Sequence, residues 1–164
     1  MFSSDPDSTG PIVPAGYHLA SFGRRAGGLA IDVVLINGPP MAAFYALGHD
    51  PFDTDPNLVW LSVAIIAVGL IYETLAVWRW GRTVGKWVAG TRVVGMPDGA
   101  LLGLSRSFQR SLVPATVNAI PQVGVLLGIG VYTWAFFDPL RQGVHDKAAG
   151  SIVVQAHRAE VHEP

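Results

Sequence analysis

The sequence predicts an all-α membrane protein: a small helical bundle of about four short or tilted transmembrane segments, with a small cytoplasmic β element. Three observations predict it. Half of the 164 residues are apolar and only 14% are charged, against about 25% in an average soluble domain. Two apolar runs of about 20 residues lie in the first half, each long enough for roughly 30 Å of hydrocarbon. Lysine and arginine flank these runs but are missing from the loop between them.

Residues 1–16 are rich in Ser, Asp and Pro and lack a basic start followed by an apolar core. They read as a disordered cytoplasmic tail rather than a signal peptide. The first apolar run, Ala26 to Leu47, follows Arg24-Arg25 and carries Asp32 inside it. A carboxylate there costs about 2.5–3.5 kcal/mol on insertion scales, so it must be paired, hydrated or functional. Pro39-Pro40 is expected to kink or break this helix. The second run, Leu58 to Trp78, has Trp60, Trp78 and Trp80 near its ends as interfacial anchors.

The loop between the runs holds Asp50, Asp53 and Asp55, whereas Arg79, Arg82, Lys86, Arg92, Arg106 and Arg110 follow the second run. The positive-inside rule therefore puts the N-terminus in the cytoplasm and the acidic loop outside. The third apolar region, Leu101 to Phe137, divides at Pro121 into Leu104–Ile120 and Pro121–Phe137, a pair that either crosses or re-enters. Thr91-Arg92-Val93-Val94 and Gly150-Ser151-Ile152-Val153-Val154-Gln155 read as short strands. Pairing them requires both on one face of the membrane, hence an even number of crossings and both termini in the cytoplasm. Gly124 and Gly128 give a smooth helix face for close approach, either inside the bundle or between copies in a homo-oligomer. Residues 156–164 read as a second tail.

Three motifs then coincide. Phe22-Gly23-Arg24-Arg25-Ala26-Gly27-Gly28-Leu29-Ala30-Ile31-Asp32 resembles the opening of the RDD family of bacterial integral membrane proteins, with Arg25 and Asp32 at its first two signature positions. Thr83-Val84-Gly85-Lys86, followed by Gly90-Thr91-Arg92-Val93, is similar to the family's middle signature, and Arg110 matches a later basic position. His145-Asp146-Lys147-Ala148-Ala149-Gly150-Ser151 is similar to the closing motif, with Asp146 as the second aspartate. The departures are Ser151, where Thr is usual, and the double proline. The resemblance implies one transmembrane domain over residues 17–155, and some members of the family have been linked to cation/proton exchange.

Asp32 lies roughly 10 Å inside Arg25, and Glu73 about 9 Å inside Arg79 on the returning helix, so the two carboxylates share a depth. Together they can bind a proton or a monovalent cation, with Asn37 lining the same cavity. In the other reading they pair with Arg25, Arg110 or Lys86 and lock the bundle, which is favoured by the number of cations in reach. Arg82, Lys86, Arg92 and Arg110 form a basic cytoplasmic surface suited to anionic headgroups, or act only as topology determinants. Lys86 is not a phosphate-loop lysine, because the glycine spacing is short and Trp87 replaces the Ser or Thr that would hold magnesium. In the triplet His145-Asp146-Lys147, Asp146 is expected to cap a helix N-terminus and join an ion pair.

The scattered histidines show no metal spacing, cysteine is absent, and a net charge of −1 gives no field for nucleic acid. The sequence thus points away from an enzyme and from any cofactor. Its partners are the lipid bilayer and, by function, one of two classes. The first is a transport component moving protons or monovalent cations through Asp32 and Glu73. The second is a non-catalytic accessory or assembly subunit of a larger membrane complex.

Overall fold

The computed structural model describes residues 13–14, 16–48, 58–96, 98–120 and 123–156. The acidic loop from His49 to Asn57, Pro121 with Gln122, most of the first tail, and His157 and His162 of the second lie outside the described residues.

Helix α1 (Phe22–Ala46) starts where the Ser21 side chain accepts the Arg24 N–H, satisfying one of the unpaired donors of the first turn. It does not break at Pro39-Pro40, although both lie inside it. The pyrrolidine φ suits a helix, so the cost is two missing N–H bonds and the crowding of each ring against the carbonyl four residues before it, without an end to the helix. Helix α2 is Leu58–Trp80. Both helices are long and apolar enough to cross a membrane, with mean hydropathies of 1.4 and 2.0. Only 6% and 11% of their most apolar windows are buried, so neither is the core helix of a water-soluble fold. Val34 (69% exposed) and Trp60 (76%) illustrate an outward apolar surface that suits lipid.

After Gly81, whose φ of 69° turns the chain, come the one-turn helix α3 (Val84–Val88) and strand β1 (Thr91–Gly95). The third apolar region is two short helices, α4 (Leu104–Asn118) and α5 (Gly124–Thr133), the latter running into a 3-10 turn at Trp134–Phe136. The region is thus divided between Asn118 and Gly124, with both pieces shorter than the sequence suggested; Pro121 itself lies outside the described residues. Helix α6 (Val144–Ala148) leads into β2 (Ser151–Gln155).

β1 and β2 pair antiparallel, from Thr91 opposite Gln155 to Gly95 opposite Ser151. Leu19 bridges to Val154 on the other edge of β2. The best-buried apolar residues gather around this sheet: Val77, Val93, Leu102 and Val153 in one cluster, Val94, Ile152 and Val154 in the other. The core therefore sits at one end of the helices. α4 packs most extensively on α2, and α1 packs on α3 far more than on α2.

Candidate functional site

At that end of the bundle, six charged side chains form an alternating chain. Asp32 of α1 is 6% exposed. Its Oδ1 accepts from the Tyr72 hydroxyl and the Gly85 N–H, both at 2.9 Å, and its Oδ2 accepts from Thr83 Oγ1 at 2.5 Å. The middle signature therefore wraps this carboxylate. Thr83 also caps α3, taking the Lys86 N–H. Gly85 has to be glycine for a steric reason: a Cβ there would lie 2.0 Å from the Gly28 carbonyl oxygen and 2.8 Å from Asp32 Cγ.

Lys86 Nζ stands between the carboxylates of the two long helices, 3.1 Å from Glu73 Oε1 and 3.9 Å from Asp32 Oδ2. Glu73 Oε1 also accepts from Arg110 Nη1 at 2.7 Å. Arg110, 1% exposed, continues to Asp146, whose Oδ1 lies 2.9 Å from both Nε and Nη2. Asp146 Oδ2 takes the Gly143 N–H at 3.1 Å and pairs with Arg25, which also donates to the Arg141 carbonyl. The order Arg25, Asp146, Arg110, Glu73, Lys86, Asp32 balances three cations against three carboxylates. Such pairing is what lets charge persist in a low-dielectric interior.

Several residues take only one of the places the sequence offered, or a different one. Lys86 and Arg110 do not face lipid: both turn inward, because α3 folds back beneath α1 and α4 presents Arg110 to α2 and α6. Asp146 is not the N-cap of α6; Gly143 is, and Asp146 reaches back to it from the third helical position. Asn37 lines the cavity but hydrogen-bonds the Val33 carbonyl of its own helix at 2.8 Å. Gly124 and Gly128 pack inside the bundle: a Cβ on Gly124 would meet the Val117 carbonyl at 2.8 Å, and one on Gly128 would meet Asn118 Oδ1 at 2.6 Å. Arg82 and Arg92 remain at the surface, half-buried. Lys147, 48% exposed, pairs with Asp138 at 2.6 Å.

Thr83, Tyr132 and the Arg141 carbonyl were missed. Thr83 had a readable signal, since a threonine just before a helix is a standard cap; the other two are tertiary neighbours with none. The Tyr132 ring lies 4.7 Å from that of His145. Burial pushes the His145 imidazole down to about 4; Arg110 and Arg25 add to this, against Asp146 and Glu73. For Asp146, burial acts upward but is outweighed by His145, Arg110, Arg25 and the Gly143 N–H, which hold the carboxyl well below the usual range. Near neutrality the imidazole is uncharged, so there the two arginines carry that effect.

Beside the chain of charges, a cavity of about 630 Å³ lies between α1, α2 and α4. Asp32, Glu73 and Lys86 line it together with the polar side chains of Asn37, Ser111 and Asn118.

The fold and this site define a class: a small, mostly helical protein, with two apolar helices that fit a membrane, organised around a buried and compensated set of charges. The chain belongs to the RDD family, whose sequence model matches residues 19–150. Neither the curated proteins nor the solved structures contain a match.

Proposed function

We propose that the chain is an integral protein of the cytoplasmic membrane with both termini in the cytoplasm, and that its cavity is a transport site for a proton or monovalent cation. The observation that carries this reading is the position of Lys86. Its ammonium bridges Glu73 and Asp32 at the edge of a cavity of about 630 Å³ whose mostly apolar wall carries a few polar side chains, a size and make-up typical of binding sites. A proton or cation arriving at Asp32 replaces the weaker, 3.9 Å contact with the tethered ammonium, leaving Lys86 on Glu73. The arriving charge adds one positive unit to a balanced set, so it is held only in exchange for another cation that leaves the site, as an exchange mechanism requires.

The topology is supported by the pairing of β1 with β2, which asks for an even number of crossings between them. At 15 and 10 residues, α4 and α5 reach only about 22 and 15 Å. That favours a re-entrant pair over two full spans. The reading assigns no enzymatic chemistry.

The test is cation/proton exchange by the purified protein in proteoliposomes, followed with a pH dye. Flux that disappears in a monodisperse Asp32→Asn variant supports a coupling role. No flux from a folded, reconstituted wild type overturns the transport reading and leaves the accessory role, with co-purification of a larger partner in mild detergent as its own test.

A further inference from the structure

The ion pairs use four of the described cations: Arg25, Lys86, Arg110 and Lys147. Six arginines at the same end of the bundle have no carboxylate partner among the described residues. Four of them are otherwise engaged: Arg24 and Arg106 donate to carbonyls, Arg141 to the Ala20 carbonyl, and Arg79 lies over Trp80. Arg82 and Arg92 are different. Neither guanidinium makes an ion pair or a hydrogen bond among the described residues, and Arg92 Nε is buried without a partner. They flank Gly81, where a Cβ would lie 3.0 Å from that Nε.

Arg82 also ends a groove of about 490 Å³ between α2 and α3. Leu75, Ala76 and Val84 form its apolar length, and Trp80 and Trp87, 58% and 63% exposed, stand at its sides. Indole rings at this level are placed as interfacial anchors are, with apolar faces toward chains and N–H edges toward headgroups.

We infer that this groove is a binding site for one anionic phospholipid. The phosphate sits on Arg82 beside Arg92, and an acyl chain lies along Leu75, Ala76 and Val84. The charge complementarity is specific: Arg82, at the groove, has no counter-ion among the described residues, the unpartnered Arg92 Nε lies against the adjoining Gly81, and the apolar lining of the groove suits the tail of the same molecule. The inference rests on the membrane reading above but not on transport.

The experiment uses the full chain reconstituted in phosphatidylcholine vesicles doped with phosphatidylglycerol, with either lipid carrying brominated chains that quench tryptophan. Brominated phosphatidylglycerol should quench more than brominated phosphatidylcholine at equal mole fraction, and Trp80→Phe combined with Trp87→Phe should remove most of the excess. Arg82→Gln should lower the preference about fivefold, the effect of one basic residue at an anionic surface, while Arg24→Gln leaves it unchanged. Arg82 has no ion pair to lose, so this variant keeps the fold. Equal quenching by the two lipids, or an equal drop in both arginine variants, overturns the site in favour of diffuse surface charge. Absence of quenching by either lipid overturns the membrane reading itself.

Discussion

The guanidinium of Arg110 holds a single oxygen of Asp146 with two of its nitrogens, Nε and Nη2, each at 2.9 Å. Its remaining terminal nitrogen goes to Glu73. One side chain of α4 thereby joins α2 to α6, and the other Asp146 oxygen stays available to Arg25 of α1. Four helices meet through these two residues.

Arg110→Met should be among the most damaging single changes. It leaves Asp146 and Glu73 buried with one cation fewer each, and truncating one partner of a buried pair costs about 3–5 kcal/mol. Arg110→Lys keeps the charge but cannot reach both carboxylates with a planar fork. The melting temperatures of the detergent-purified proteins should fall in the order wild type, lysine variant, methionine variant.

Gly85→Ala should strongly destabilise the fold where Gly130→Ala leaves it intact. The first Cβ would meet the Gly28 carbonyl at 2.0 Å, a backbone atom with no room to give; the second meets nothing within 4 Å. Overpacking of the first kind costs ~1–3 kcal/mol or more. Monodispersity on size exclusion and thermal stability of the two variants check this.

Stability should fall in acid in two stages. The folded His145 titrates near 4 against 6.5 for its ordinary value. Between these values the unfolded chain binds the proton and the folded one does not, so stability is lost as pH falls through that window. At 1.36 kcal/mol per unit the loss reaches about 3 kcal/mol. Asp146 has a lowered folded value, so its contribution is present above its ordinary 3.8 and declines below it. His145→Gln should flatten the pH 6.5–4 limb of a denaturation series and keep the more acidic one.

Single cysteines at Asp98 and Lys147 should report the same side of the membrane, since the sheet that follows one and precedes the other is shared. In sealed cells both should resist an impermeant thiol reagent, and both should react after permeabilisation. The wild type has no cysteine to remove.

Long, local features were legible in the residues. The two apolar helices follow from run length and hydropathy, the strands from Thr91–Val94 and Gly150–Gln155, and the break near Pro121 from proline chemistry. That the buried carboxylates would draw on Arg25, Lys86 and Arg110 was legible, but which cation meets which carboxylate was not. Asp32 and Glu73 come within reach of one ammonium, as helix rise suggests, but Lys86 comes between them only because Gly28 and Gly85 let α3 fold beneath α1. Gly124 and Gly128 carried the signal of a smooth face, yet spacing alone cannot say that the other surface is the end of α4. Lys86 and Arg110 appeared to belong to the outer basic set for the same reason: sequence orders charges along a chain, and partner choice is made by tertiary approach.

The path of charges also has a direction in time. Asp146 follows Arg25 by 121 residues and Arg110 by 36. At ~5–20 residues per second, Arg25 waits roughly 6 s or longer for its counter-charge. Until Asp146 is made Arg25 lacks this carboxylate, so a chain cut short before the closing motif cannot complete the charge balance that joins the helices.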